Sequence, residues 1–167
     1  MKKIIFILTL CFSLQAMAQE KKGIYFDEIS VGHLTDFSED HSAVTFNPAL
    51  GLKFSERWFC RFSMPINLEL DKQTQTYDEV WGMGLGLGYA FFHGKPSTAW
   101  EHVSLEALAD GGFGWSELNE EKEFTYTNLS VRVRFEQKYL MTIGYNHKFS
   151  DEPKSIDGLH VSFGITF

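Results

Sequence analysis

Residues 58–71 read Trp58-Phe59-Cys60-Arg61-Phe62-Ser63-Met64-Pro65-Ile66-Asn67-Leu68-Glu69-Leu70-Asp71. Trp58, Cys60, Phe62, Met64, Ile66, Leu68 and Leu70 fall on one side of this stretch, and Phe59, Arg61, Ser63, Pro65, Asn67, Glu69 and Asp71 fall on the other. Successive side chains of an extended chain point to opposite faces, so a period of two sustained over this length predicts a strand with one apolar face.

The same period recurs on either side of it. Tyr77, Trp81, Met83, Leu85, Leu87, Tyr89 and Phe91 share one face of the following run, opposite Gly82, Gly84, Gly86 and Gly88. Upstream, Val44, Phe46, Leu50, Leu52 and Phe54 oppose Thr45, Asn47, Gly51 and Lys53. Further runs carry Val103 to Ala109, Leu129 to Phe135, Tyr139 to Tyr145 and Leu159 to Phe167. A first run, about Gly23 to Leu34, alternates less cleanly because Ile24 and Phe26 share a face with Glu28. Eight runs result, and no long segment has helical periodicity.

The first eighteen residues read differently. Lys2 and Lys3 precede an apolar stretch from Ile4 to Leu14, and Ala16-Met17-Ala18 has the small-x-small pattern of a cleavage site. The expectation is a secretory signal peptide over 1–18 and a single domain over 19–167, starting at or near Gln19. Without Lys2 and Lys3 the chain holds 13 basic against 22 acidic residues, a formal charge of −9. That balance argues against nucleic acid as a partner. Of two cysteines, only Cys60 lies beyond the predicted signal, so disulfides cannot hold the fold. No stretch beyond residue 18 is apolar enough for a helical membrane span.

Short connections alternate with longer polar ones. Ser55-Glu56-Arg57 and Gln137-Lys138 are short, while Thr35–Asp40, Lys72–Gln75, Ser116–Glu123 and Ser150–Asp157 are mostly longer. Tight turns on one rim and longer loops on the other are the pattern of bacterial outer-membrane barrels, with the short turns periplasmic. Aromatic residues gather near both ends of the runs. Phe54, Trp58, Phe59, Tyr89, Phe91, Phe135, Tyr139 and Phe167 fall towards the short-turn end. Phe37, Tyr77, Trp81, Phe113, Trp115, Tyr126, Tyr145 and Phe149 fall towards the long-loop end. Two such girdles belong at the two membrane–water interfaces.

Alternation alone does not separate a membrane barrel from a soluble one, since only the polarity inverts. The polar face carries Lys53, Arg61, Glu69, Glu106, Arg132 and Arg134 among glycines and small hydroxyl residues, which suits a narrow lumen with paired charges. The apolar face holds too many large side chains to pack inside eight strands. Lipid accommodates them, and closure satisfies the backbone. The expected fold is therefore an all-β, eight-stranded antiparallel up-and-down transmembrane β-barrel.

At pattern level the chain resembles the small eight-stranded outer-membrane barrels of the OmpA and OmpX type. The likeness rests most on Leu159-His160-Val161-Ser162-Phe163-Gly164-Ile165-Thr166-Phe167. A terminal Phe with apolar residues at every second position before it resembles the signal read by the barrel-assembly machinery. The resemblance implies residence in the bacterial outer membrane, contact with its lipid and lipopolysaccharide, and an assembly role for Phe163, Ile165 and Phe167; a closed ring leaves no sheet edge that demands a partner, so a monomer is expected.

Candidate chemistry is sparse. Arg61, Glu69, Glu106, Arg132 and Arg134 form the expected lumen charge network, because unpaired charges in a narrow interior are expensive. His102, Ser104 and Glu106 share a parity but read better as part of that interior than as a nucleophilic site. His147, Ser150 and Asp157 lie near the long-loop rim. They are similar to the His, Ser and acid of lipid A deacylases of the PagL type, although Phe149 stands where the nucleophile would be. Acidic loop residues, notably Glu117, Glu120, Glu121 and Glu123, are solvated tips or weak divalent-cation sites. The histidines show no metal-ligand spacing, and no cofactor is expected. Three functions follow in order: a non-enzymatic envelope or surface-interaction barrel, a lipid A deacylase, and a small-solute channel. The channel comes last because eight strands leave room for side chains but not an aqueous pore.

Overall fold

The computed structural model describes residues 24–37, 41–71, 75–94, 98, 100–116, 123–136, 138–149 and 156–167. The predicted signal peptide lies outside them. The strands are β1 (Ile24–Asp36), β2 (His41–Lys53), β3 (Trp58–Ser63), β4 (Ile66–Asp71), β5 (Thr76–His93), β6 (Val103–Ser116), β7 (Glu123–Phe135), β8 (Tyr139–Phe149) and β9 (Ile156–Ile165). Neighbouring strands pair antiparallel, except that β3 and β4 each pair with β2 and β5 and not with one another, and β1 also pairs with β9, from Ile29↔Ile165 to Asp36↔Gly158. Among the described residues the sheet closes on itself and leaves no free edge.

Nine segments make a ring of eight because β3 and β4 share the partners β2 and β5. Sequence alternation predicts one strand over 58–71, and the interruption falls at Met64-Pro65. Its cause is local: Pro65 has no N–H to give to the ladder. The register runs through unchanged, from Ser63↔Ala49 to Ile66↔Phe46. The Met64 N–H donates to the Pro48 carbonyl at 3.0 Å, and the Gly82 N–H donates to the Pro65 carbonyl at 2.8 Å. The inward–outward parity therefore survives the break.

The uneven first run also has a cause. A β-bulge lets Phe26 face Leu50 and Glu28 face Ala49, which leaves Asp27 as the extra residue. A bulge shifts the parity by one, so Asp27 and Glu28 both turn inward. They are 0% and 2% exposed. A second bulge, between Ala90 and Phe92, leaves Phe91 and Phe92 both exposed.

Polarity is inverted relative to a soluble domain. Arg132 and Asp27 are fully buried, whereas Leu85 is 70%, Phe163 63% and Leu129 61% exposed. Inside, the glycines of β5 make room for rings. A Cβ at Gly88 would overlap the Phe59 ring, and one at Gly84 would overlap the Tyr126 hydroxyl. Glycine at these two places lets a ring lie flat against the opposing backbone. This corrects the aromatic assignment from sequence: Phe59 (3% exposed) and Tyr126 (8%) belong to the interior, not to the girdles. Phe54, Trp58, Phe135, Tyr139 and Phe167 remain outward at the short-turn rim, as do Phe37, Tyr77, Phe113, Trp115, Tyr145 and Phe149 towards the other.

Candidate functional site

Three groupings of side chains emerge from this frame. The first crosses the lumen in its short-turn half. Arg61 of β3, Arg132 and Arg134 of β7, Glu106 of β6, and Asp27 and Glu28 of β1 converge there because inward positions of a narrow ring share one small space. Arg132 Nη2 lies 2.8 Å from Asp27 Oδ2 and 3.3 Å from Glu28 Oε2, and its Nε lies 3.6 Å from Glu106. Arg134 reaches Asp27 and Glu106, each at 3.0 Å. Arg61 reaches Glu28 at 2.8 Å, Asp27 at 3.4 Å and Asp110 at 3.8 Å. The Arg132 guanidinium also lies over the Phe59 ring, 5.4 Å from its centroid, a favourable cation–π contact.

Four of the five residues named from sequence, Arg61, Glu106, Arg132 and Arg134, thus meet in one cluster. Glu69 stands apart. It accepts from Lys148 Nζ at 2.9 and 3.1 Å, and that ammonium sits 4.1 Å from the Phe124 ring centroid. Because β4 and β8 lie on opposite sides of the ring, this pair spans the lumen as a second crosspiece. Sequence reasoning missed Asp27, Glu28, Asp110 and Lys148. The two β1 acids were hidden by the bulge. Lys148 sits at the inward parity of β8, which the alternation of Tyr139, Met141, Ile143 and Tyr145 implies.

The second grouping lies on the outer wall near the long-loop rim. His147 and Asp157 are register partners on β8 and β9. His147 Nδ1 is hydrogen-bonded to Asp157 Oδ1, and the Tyr145 hydroxyl donates to the same oxygen. The Phe149 ring stands edge-on to the imidazole with centroids 4.0 Å apart, and Phe37 stacks on Tyr145 at 6.2 Å. The strand pairing brings together two of the three residues named from sequence; Ser150 lies outside the described residues, as do Glu117, Glu120 and Glu121. His102 is exposed in the turn before β6, while Ser104 is buried and donates to Glu106 at 3.4 Å, so parity alone misplaced that histidine.

The third grouping is the seam. Phe163, Ile165 and Phe167 all point outward. Ile165 stands between Ile29 and Tyr139, where β9 joins β1 and β8. The Phe167 N–H donates to the Phe26 carbonyl at 3.4 Å, and the two rings meet edge to face at 5.8 Å. The last residue therefore ties the end of the chain to its first strand.

No protein-family model matches the chain. No curated protein matches it either. Solved structures similar in shape include the following two. One is a de novo designed transmembrane β-barrel, with TM-score 0.50 and 12% identity, over 88% of this chain and 98% of that one. The other is Ail, the attachment invasion locus protein of Yersinia pestis, with TM-score 0.51 and 12% identity, over 88% of this chain and 100% of that one. With its charges inside and its large apolar side chains outside, the chain has the eight-stranded up-and-down fold of the small transmembrane β-barrels.

Proposed function

We propose that the protein is an integral barrel of the bacterial outer membrane, with a plugged interior and a structural or surface-interaction role exerted through its longer loops. The observation that carries this reading is the inverted polarity, with Leu85, Leu129 and Phe163 exposed around a core of arginines and carboxylates. In water such a surface is a large aggregation liability, whereas in lipid it is the solvated face. The short-turn rim then faces the periplasm and the longer loops face outward, among lipopolysaccharide. The charge cluster closes the lumen to solutes, which argues against a channel. A ring with no free edge supports a monomer. Phe163, Ile165 and Phe167 act as the strand recognised by the assembly machinery.

The test is fractionation after export. Native protein is expected in the outer membrane, running with heat-modifiable mobility in a detergent gel, and deletion of Phe167 is expected to lower the folded fraction severalfold. Recovery of the native protein as a soluble periplasmic species would remove the reading.

One observation favours a second reading, acyl hydrolysis of lipid A on the outer wall. Asp157 holds His147 through Nδ1, the arrangement that orients an imidazole to act as a base through its other nitrogen. Ser150 would be the nucleophile. Overexpression should then shorten lipid A by one acyl chain in its mass spectrum, and His147→Ala should abolish the change while leaving the folded yield intact. Lipid A that stays unchanged with the native protein sinks this reading.

A further inference from the structure

We propose that the outer wall carries a site for one glycerophospholipid of the periplasmic leaflet, with its phosphodiester on Arg57 and one acyl chain laid across β6. The inference rests on the membrane placement and orientation proposed above.

The apolar half of the site is a depression in the wall. Ala107 and Ala109 of β6 point outward between taller neighbours, Tyr89 and Leu87 on β5 and Val131 and Leu129 on β7. Leu108 and Ser130 are buried with their side chains turned inward, so their backbone gives the floor. The depression continues across β8 to Ile143 and Leu159 and holds about 580 Å³. That volume lies in the range of ligand clefts, roughly 300–1,000 Å³. Successive outward side chains of one strand stand about 7 Å apart, so the trough between two cross-strand rows has the width of a single hydrocarbon chain.

The polar half is the mouth at the short-turn rim. Trp58 and Tyr89 line it, with ring centroids 4.7 Å apart. Arg57 Nη1 donates to the Tyr89 hydroxyl at 3.2 Å, which holds the guanidinium at the end of the depression. Arg57 is exposed and forms no ion pair with a carboxylate among the described residues, and Glu56 acts on it only at longer range. A guanidinium with one N–H given to a phenol keeps its other donors, and their planar fork suits a phosphodiester.

Charge and position together choose the occupant. The short-turn rim lies in the leaflet whose amphiphile is a glycerophospholipid, a phosphodiester joined to hydrocarbon chains. Inorganic phosphate would leave the trough empty, and an uncharged diacylglycerol would leave Arg57 without its anion. Only a lipid with both parts engages the wall at both ends.

The experiment is native mass spectrometry of the folded full-length barrel released from detergent, titrated with phosphatidylglycerol and, in parallel, with diacylglycerol of the same chains. One phosphatidylglycerol should bind saturably and about tenfold more tightly than diacylglycerol, the worth of one charge-assisted contact. Arg57→Gln should erase that preference. Ala109→Phe should fill the trough and weaken phosphatidylglycerol about tenfold with heat-modifiable mobility retained, a loss comparable to that of burying a side chain's apolar area. Val44→Phe, on the outward face of β2 and away from the trough, should leave binding unchanged. If Ala109→Phe does not fold, Arg57→Gln decides alone, since it lies in an exposed turn. Non-saturable uptake, equal affinity for diacylglycerol, or a preference that survives Arg57→Gln overturns the site and leaves ordinary lipid contact. Equal losses in Ala109→Phe and Val44→Phe overturn it as well. A barrel that fractionates with the outer membrane yet gives one of these results sinks this inference alone, whereas a soluble native protein sinks the membrane placement beneath it.

Discussion

Leu129→Arg is expected to lower the unfolding free energy of the barrel in lipid vesicles by about 2–4 kcal/mol, the cost of a guanidinium near the middle of a lipid-facing strand. Leu129 occupies the centre of β7, paired with Ala109 and Tyr145, and is 61% exposed. The same exposure in a soluble protein would make this substitution nearly neutral, within about 0.5 kcal/mol. The two environments therefore give different answers at one residue. Urea unfolding from vesicles, followed by tryptophan fluorescence, reads the difference. A change under about 0.5 kcal/mol would contradict the membrane placement of this face.

Arg132→Met is expected to cost about 3–5 kcal/mol in the same assay, the usual result of breaking a buried ion-pair group from one side. Arg132 is fully buried and lies within 3.6 Å of carboxylate oxygens on Asp27, Glu28 and Glu106. Methionine fills much of the space but leaves those three acids to Arg61 and Arg134 alone. Arg132→Met combined with Glu106→Gln should cost less than the two single changes added together, because the second change removes a charge that the first left uncompensated. Additive costs, or a loss below about 1 kcal/mol for Arg132→Met, would show that the cluster does not act as a unit.

The two substitutions probe opposite faces of the same strand, and the faces differ in how far local pattern reveals them. Leu129, Val131 and Phe135 could be placed outward, and Asn128, Ser130 and Arg132 inward, from the period of two alone. That period is a property of extended backbone and needs no tertiary information. The same logic held through Pro65, where the ladder loses one N–H but the register does not slip. It failed at Asp27 and Glu28, because a bulge is one residue of irregularity that parity cannot see. It also failed for Phe59 and Tyr126, whose aromatic character suggested the interfaces although their parity was inward.

The sequence by itself therefore determined the strands, the ring of eight, and, away from the bulge and the turns, which face of each strand turns inward. Each of these follows from a repeat written along the chain and from the need to satisfy every backbone group by closure. Only the tertiary structure decided which inward charges meet. Arg132 finds Asp27 across the lumen, Glu69 finds Lys148 rather than the arginines, and Asn47 and Asn128 turn their amides towards Glu28 and Asp110. On the outer wall it set Asp157 against His147. The reason is geometric: contacts across or around a barrel depend on the stagger between distant strands, which no local period encodes.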